Sequence, residues 1–283
     1  MNFKARDHNI SFIAHYTAQA WVREQLPWAF RFDTLRGRLF YDLVDPLFSV
    51  AARAGFTTPP DFLVQRHRII DALVTEARPR QVVELAGGFC PRCLALSDKL
   101  GVRTVDVDLP EVVALKASRI GDDAPAEYRQ TSLDLVGSRD YVHDLGAALS
   151  NVAPTVVITE GILPYFSRAI SQHVFDEVVR LLRQCGGGTY LTDIHHQERI
   201  DTMALGRLFR SALHLVARSP KYPMIRNFDE AEAMLRRAGF DRVTAHHPRD
   251  FNHLGLTVRR RGSGLRIYEA VVEGQAPCGG VTT

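Results

Sequence analysis

Short apolar runs alternate with amphipathic helical stretches along most of the chain after residue 60. The apolar runs predict strands near residues 81–86, 103–108, 127–132, 155–160, 188–194, 242–247 and 266–273. Helical repeats lie between them, most clearly from Ser171 to Gln184, where apolar residues recur with a period of about 3.6. This alternation predicts an α/β fold with a seven-stranded, mostly parallel, Rossmann-like sheet that helices cover on both faces. A short Arg-Gly-Ser-Gly link predicts that the last two strands are antiparallel.

The first 60 residues carry no strand pattern and instead predict helices from Ile10 to Phe30 and from Leu35 to Ala52. A third, amphipathic helix is predicted from Phe62 to Ala77, just before the first strand. The predicted divisions are a helical N-terminal lid at 1–60, a core at 61–274 with a cap insertion at about 196–225, and a disordered tail at 275–283.

A glycine turn follows the first predicted strand, and an acid ends the second. Gly87 and Gly88 let the backbone approach a ligand closely, and Asp108 can accept hydrogen bonds from both hydroxyls of a ribose. We count Glu84, on the strand that leads into the turn, with these cofactor-binding candidates. No third glycine follows and Pro91 lacks an N–H, so the turn suits a pyrophosphate poorly. The pattern favours S-adenosylmethionine (SAM), which has a ribose but no phosphate, over NAD; glycines that serve packing alone are the remaining interpretation.

Further polar residues stand where the predicted strands end, which is the edge at which such sheets bind ligands. They are Asp134, Glu160 and the run Asp193-Ile194-His195-His196. Arg66, near the start of the third helix, either pairs with the α-carboxylate of a bound amino acid moiety or faces solvent.

Composition argues against several classes of function. The 283 residues carry a net charge of +3 with no basic block, which gives little support to nucleic-acid binding. The first residues lack the apolar segment of a secretory signal, and no uncharged apolar run reaches the roughly 18 residues of a membrane span. Four cysteines in a chain of this length do not make a disulfide scaffold. We therefore expect a cytoplasmic protein with a small-molecule acceptor as its partner, without nucleic acid or membrane, and we leave a homodimer open.

Four ordered motifs resemble the leucine carboxyl methyltransferase family, in particular its bacterial branch of tetracenomycin-type polyketide O-methyltransferases. The motifs are Arg66-His67-Arg68-Ile69-Ile70-Asp71, the turn from Val82 to Arg92, Asp106-Val107-Asp108-Leu109-Pro110, and Thr159-Glu160-Gly161-Ile162-Leu163-Pro164-Tyr165-Phe166. The similarity runs from about residue 10 to residue 272.

The resemblance implies a class I SAM-dependent methyltransferase fold with seven strands, the last inserted antiparallel. It also implies contacts with the cofactor: Arg66 on the SAM carboxylate, Gly88 under the methionine part, Asp108 on the ribose hydroxyls, Asp134 and Leu135 beside the adenine, and Glu160 by the amino acid end.

Two places depart from the family pattern. Ala86 stands where a glycine is common, which is a mild change if its φ is negative. Cys90 and Cys93 form a C-x-x-C where relatives have other small residues. Redox chemistry or a regulatory disulfide is the alternative role for this pair, although the surrounding sequence is that of a SAM turn.

The acceptor decides whether the reaction needs a base. A carboxylate with a pKa of about 4 is ionised at neutral pH, whereas a phenol with a pKa of about 10 is not and would gain from a histidine base. His195 and His196 follow the fifth strand at the correct edge for that role, with packing or helix capping as the alternative. Tyr16, Trp21 and Tyr165 are candidates for lining an aromatic acceptor pocket. A metal site built from His195/His196 and His246/His247 is possible by residue type, but adjacent histidines on a strand point to opposite faces, so we predict no metal site.

Together these patterns predict a SAM-dependent O-methyltransferase that acts on a carboxylate or phenolic hydroxyl of a small, polyketide- or secondary-metabolite-like molecule. One alternative is a NAD-type oxidoreductase, which the missing third glycine and Pro91 disfavour. The other is a non-catalytic SAM-binding protein that serves as an interaction partner, which an acceptor cavity blocked by side chains would favour.

Overall fold

The computed structural model describes residues 7–150, 154–195, 225–258 and 264–274. The helices are α1 (Asp7–Arg23), α2 (Leu35–Arg53), α3 (Pro59–Ala77), α4 (Arg92–Leu100), α5 (Pro110–Ile120), α6 (Tyr141–Leu145), α7 (Arg168–Gln184) and α8 (Phe228–Ala238). The strands are β1 (Gln81–Leu85), β2 (Arg103–Asp108), β3 (Tyr128–Ser132), β4 (Thr155–Thr159), β5 (Gly188–His195), β6 (Arg242–His246) and β7 (Leu265–Val272). All seven strands lie within one residue of their predicted ends.

The strands form one sheet in the order β3-β2-β1-β4-β5-β7-β6. β1 to β5 are parallel to one another, whereas β7 lies between β5 and β6 and runs antiparallel to both. The predicted antiparallel insertion of the last strand is therefore confirmed. Because β1, β2, β4 and β5 are parallel, their carboxyl ends meet at one edge, which is where ligands bind in sheets of this kind.

Two apolar layers cover the sheet because successive side chains on each strand point to opposite faces. Val83 and Leu85 of β1 pack in the layer that contains α7 and α8. Val82 packs in the other layer, against the apolar stripe of α3. α3 begins with a capping box at Thr58 and Asp61 and lies against the sheet through Ile69, Ile70, Leu73 and Val74. This position of α3 carries its first half toward the ligand edge.

The N-terminal helices form a further layer against α3. α1 and α2 enclose a small apolar cluster that includes Tyr16, Trp21 and Phe48, together with Leu63 of α3. α1 ends at Arg23 rather than continuing to Phe30, since Gln25 and Trp28 have φ values of 53° and 66°, which break the helix. The helices predicted for this part are otherwise present.

The predicted cap insertion lies outside the described residues except for Ile225, and the predicted tail at 275–283 lies wholly outside them. No helix in the part of the chain that the structure describes has the length and apolar character needed to cross a lipid bilayer.

Candidate functional site

Asp108 closes the glycine turn at the carboxyl end of β2. Its Oδ2 accepts a hydrogen bond from the backbone N–H of Gly88 at 2.7 Å, and its Oδ1 accepts one from Leu109 at 2.8 Å. Burial raises the pKa of the Asp108 carboxyl, and the two amide donors act in the opposite direction. An ionised carboxylate has about four acceptor sites, so the two amides fix its orientation and leave sites for ribose hydroxyls.

Ala86, at the start of the turn, has a φ of +56°. An alanine in place of glycine would be a mild change only at a negative φ. The change is therefore not mild here, because the left-handed region is unfavourable for a residue with a Cβ. Its N–H donates to the carbonyl of Val107 at 2.7 Å, and this bond to β2 holds the strained conformation in place.

A charged cluster of Arg66, Glu160 and Asp193 joins α3 to the ends of β4 and β5. Arg66 Nε donates to Glu160 Oε1 at 2.8 Å, and Arg66 Nη1 lies 3.5 Å from Asp193 Oδ2. Asp193 Oδ1 accepts a hydrogen bond from the N–H of Gly161 at 2.6 Å. A Cβ on Gly161 would lie 2.6 Å from Arg66 Nη2, so the glycine makes room for the guanidinium. Arg66 therefore does not face solvent, because its side chain is only 12% exposed.

A second arginine, the buried Arg92, forms an ion pair with Glu160 on the side of the protein interior. Its Nη2 lies 2.6 Å from Glu160 Oε2, its Nη1 2.5 Å from Glu84 Oε1 and its Nε 2.5 Å from Asp71 Oδ1. The Arg92 and Glu84 side chains are both 0% exposed. Burial raises the pKa of Glu160, but the charges of Arg92 and Arg66 outweigh burial and hold this pKa well below its usual value. Glu160 is therefore a carboxylate throughout the neutral range.

His67 connects the N-terminal helices to this carboxylate. Its Nδ1 lies 2.8 Å from Arg92 Nη2 and 3.3 Å from Glu160 Oε2. Since a guanidinium only donates, Nδ1 accepts from Arg92, and Nε2 points to Asp71 at 3.4 Å. Trp21 of α1 packs on the imidazole with ring centroids 4.3 Å apart. Trp21 thus contacts the charged cluster through His67.

Three metal-type donors, from His67, Cys90 and Glu160, lie within 4.8 Å of one another. The guanidinium of Arg92 already contacts all three, at 2.8 Å from His67 Nδ1, 3.7 Å from Cys90 Sγ and 2.6 Å from Glu160 Oε2. A cationic side chain at the centre of the group accounts for its geometry and opposes a second cation there.

Cys90 and Cys93 are buried free thiols. Burial, followed by the charge of Glu84, raises the pKa of both thiols well above the ordinary value. The thiolate is the reactive form of cysteine, so these environments suppress redox chemistry and are typical of structural cysteines.

Lys116 stabilises the glycine turn through a buried hydrogen bond and a buried ion pair. Its Nζ donates to the carbonyl of Cys90 at 2.7 Å and pairs with Asp106 Oδ2 at 2.5 Å. Burial raises the pKa of Asp106 to about 6, although Lys116 and the Tyr128 hydroxyl, 2.8 Å away, both favour the carboxylate. The buried pair ties β2 and α5 to the backbone of the turn.

The residues proposed for acceptor binding occupy different environments. Tyr165 lies by the charged cluster, and burial raises its pKa to about 12. Tyr16 is 8% exposed and packs on Phe40 and Tyr41 within the N-terminal layer. Trp21 is 1% exposed. Their role in acceptor binding stays a prediction.

The two catalytic candidates and the adenine candidates also stay predictions. His195 is the last residue of β5, and His196 lies outside the described residues. Asp134 Oδ1 accepts from the N–H of Val136 at 2.9 Å, and the carbonyl of Leu135 accepts from the Tyr141 hydroxyl at 2.7 Å. These contacts order the segment after β3 without involving the charged cluster.

Sequence reasoning assigned no role to Arg92, His67, Gly161 or Asp193, although it noted Asp193 as a strand end. A usable signal existed for His67, which follows Arg66 and precedes Asp71 by one helical turn. Arg92 belongs to a family motif but received no role, because an arginine in the first turn of a helix is ordinarily exposed.

The fold matches that of known methyltransferases. One solved structure, an O-methyltransferase family protein from Burkholderia thailandensis, aligns with a TM-score of 0.50 at 18% identity and covers 76% of this chain and 59% of that chain. At this identity the likeness concerns the fold alone.

Sequence relatives carry the name of one class of enzyme. A candidate S-adenosyl-L-methionine-dependent methyltransferase of Mycolicibacterium paratuberculosis is 34% identical over 148 residues, which are 48% of this chain and 44% of the relative. Another, from Frankia alni, is 30% identical over 208 residues, 64% of this chain and 70% of the relative. The chain spans about half the length of the first such relatives, 44% and 53%.

Arg66 and Glu160 carry charges opposite to those of the carboxylate and ammonium at the amino acid end of SAM. This pair and the fold are those expected of a SAM-dependent methyltransferase. The family model for leucine carboxyl methyltransferase matches residues 7–179, a range that contains Arg66, Gly88, Asp108 and Glu160. The chain belongs to the leucine carboxyl methyltransferase family.

Proposed function

We propose that the protein transfers a methyl group from SAM to an oxygen of a small molecule, either a carboxylate or a phenolic hydroxyl. The observation that carries the proposal is the charged cluster of Arg66, Glu160 and Asp193 beside the Asp108 turn; Arg66, Asp108 and Glu160 lie within the part of the chain that matches a carboxyl methyltransferase family. A small, polyketide- or secondary-metabolite-like acceptor and a cytoplasmic setting belong to the same proposal.

In this proposal each described residue has a defined task. Arg66 binds the α-carboxylate of SAM, Glu160 binds its ammonium group, and Asp108 binds the ribose hydroxyls. Asp193, whose side chain is 1% exposed, holds Arg66 and the N–H of Gly161 in position. Asp134 and Leu135 flank the adenine. Glu84 acts through Arg92, since its side chain is 0% exposed and pairs with that arginine.

SAM supplies a methyl group already activated by a sulfonium, so the protein mainly has to bind and align the acceptor oxygen. A carboxylate acceptor is ionised at neutral pH and needs no base. A phenol must lose its proton, and His195 or His196 at the end of β5 is the proposed base. Tyr165, next to Arg66, is the proposed acceptor-lining residue nearest the charged cluster.

The first test is isothermal titration of the wild-type protein with SAM, S-adenosylhomocysteine and NAD(H). We expect both sulfur nucleosides to bind and NAD(H) not to bind. Asp108→Ala should weaken both by about 10- to 100-fold, because charge-assisted hydrogen bonds contribute about 1.5–3 kcal/mol. Asp122→Ala, a change to an exposed acid outside the site, is the matched control. Binding of NAD(H) alone would contradict the proposal.

A second test separates the two acceptor classes. Methyl-labelled SAM is incubated with a panel of aromatic carboxylic acids and phenols, and the products are treated with alkali. A carboxyl methyl ester releases labelled methanol, whereas a phenyl ether does not. If label appears only in alkali-stable amine products, O-methylation is wrong. Tight SAM binding without transfer to any acceptor would favour the non-catalytic interaction protein.

A further inference from the structure

An apolar face of α2 points into solvent. We define the α2 face as Leu35, Leu39, Leu43 and Val50, with Phe30 just before the helix. Their exposed fractions are 69%, 64%, 76%, 63% and 66%. Elsewhere in the described chain, the exposed large apolar side chains are Leu100 and Leu115. They lie on other helices and are less exposed, at 47% and 39%. The exposed apolar surface is therefore concentrated on one element.

The α2 face is distinct from the side of α2 that packs in the protein. Phe48 and Ala51 are 6% and 8% exposed and turn toward α1 and α3. The face residues recur at intervals of four, four and seven, which places them along one stripe of a helix. α2 is thus apolar on two sides, and burial within this chain accounts for one of them.

The stripe is arranged symmetrically along the helix. Leu35 and Val50 lie equally far from the midpoint between Asp42 and Leu43, and Leu39 and the exposed Pro46 are also equally spaced about that point. Two copies of α2 packed antiparallel across a two-fold axis would therefore place Leu35 opposite Val50 of the second copy, with Leu43 nearest the axis. A two-fold contact requires this kind of self-complementary pattern.

The size of the α2 face suits such a contact. At roughly 100 Å² of exposed apolar surface for each of five side chains, each protomer offers about 500 Å², and a pair would bury about 1,000 Å², where specific interfaces begin. A membrane surface is the less favoured occupant. Membrane-surface helices carry lysine and arginine on the polar side, whereas α2 has Asp42 and Asp45 beside its three arginines, Arg36, Arg38 and Arg53.

We propose that the α2 face is the interface of a homodimer, in which α2 packs antiparallel on α2 of a second copy. The contact lies on the outer side of the N-terminal layer, so it is independent of SAM binding and of the proposed acceptor chemistry.

The test measures oligomeric state by sedimentation velocity over a series of protein concentrations. Leu43→Glu places two carboxylates at the axis, beside Asp42 of each copy, and should weaken dimerisation at least about 100-fold. Leu43→Lys places two ammonium groups there, which Asp42 of the second copy partly offsets, and should weaken dimerisation less. An equimolar mixture of the two variants should form dimers again, because unlike charges then meet. Leu115→Glu, an equally drastic change on an exposed position of α5, should remain a dimer.

Leu43 is 76% exposed, so its substitution leaves the core intact, and SAM titration of each variant checks the fold. The proposal is overturned if the wild-type protein is a monomer at every concentration, or if Leu43→Glu remains a dimer. Restoration by mixing distinguishes a second copy from any other occupant. Binding of monomeric wild-type protein to vesicles of phosphatidylcholine and phosphatidylserine, lost in Leu43→Glu, would assign the α2 face to a membrane surface instead.

Discussion

Replacement of Arg92 by methionine tests whether the buried arginine holds the site together. Arg92 pairs with Glu84, Asp71 and Glu160. Without Arg92, these carboxylates would differ in whether a second cation or water still compensates their charge. Glu160 keeps Arg66, and the Asp71 side chain is 38% exposed and can be hydrated. Glu84 is 0% exposed, and Arg92 is its ion-pair partner among the described residues. The main cost of Arg92→Met is therefore an uncompensated charge at Glu84.

The expected magnitude follows from that cost. Removing one partner of a buried ion pair destabilises a protein by about 3–5 kcal/mol. For a chain of this size each kcal/mol lowers Tm by roughly 2–4 °C, so we expect a fall of about 6–20 °C. Methionine matches much of the volume of arginine, so loss of packing adds little.

Urea unfolding followed by circular dichroism at neutral pH measures the effect. The double variant Arg92→Met with Glu84→Gln should recover about half of the lost stability, because glutamine removes the orphaned charge while keeping the side-chain shape. Arg237→Met, at an exposed arginine of α8, is the control and should change stability by less than about 0.5 kcal/mol. A loss below about 1 kcal/mol, or no recovery in the double variant, would refute the reasoning.

Three further predictions follow from the geometry of the site. Gly161→Ala should weaken SAM binding at least about 10-fold in titration, because its Cβ would lie 2.6 Å from Arg66 Nη2; Gly55→Ala has a similarly positive φ but an open surrounding and should bind normally. Ala86→Gly should raise the free energy of unfolding by about 0.5–1 kcal/mol, since relief of the left-handed strain exceeds the added chain entropy; an unchanged or lower urea midpoint would contradict a φ of +56°. Glu160→Gln should lower stability at pH 7, and the difference from wild type should shrink as the pH falls below about 4.5. The folded-state pKa of Glu160 is depressed, so its contribution is present above the unfolded pKa and lost on acidification. A difference that stays constant from pH 7 to pH 3 would rule this out.

The sheet could be predicted from the sequence because buried parallel strands have few acceptable compositions. Runs such as Val82-Val83 and Thr155-Val156-Val157-Ile158-Thr159 are apolar on both faces, and the helices between them have a different period. The ends of those runs then located Asp108 and Glu160 at one edge of the sheet. The position of a residue along a strand can be read from the local sequence, and in a parallel sheet it also fixes the edge at which that residue lies.

The pairing of charges could not be predicted in the same way. Whether Arg92 is exposed or buried depends on the face to which Glu84 points and on where α3 crosses the sheet, and neither is local. The same holds for Ala86, whose φ is set by a hydrogen bond to Val107 on a neighbouring strand. The end of α1 at Arg23 depends on two residues with positive φ that no helix propensity identifies.

The two arginines have different relations to a ligand. Arg92 has no exposed side-chain surface, so it is not placed to contact SAM, and its bond to Glu160 needs no ligand. Arg66 is 12% exposed and shares the opposite oxygen of the same carboxylate. When Arg66 turns part of its guanidinium toward a bound carboxylate, Glu160 is still compensated by Arg92 and stays ionised for the ligand's ammonium group. With Arg66 alone, Glu160 would lose its cationic partner when Arg66 turned to the ligand. In the proposed binding mode, the buried Arg92 therefore lets the carboxylate and the ammonium of a zwitterion be bound at the same time.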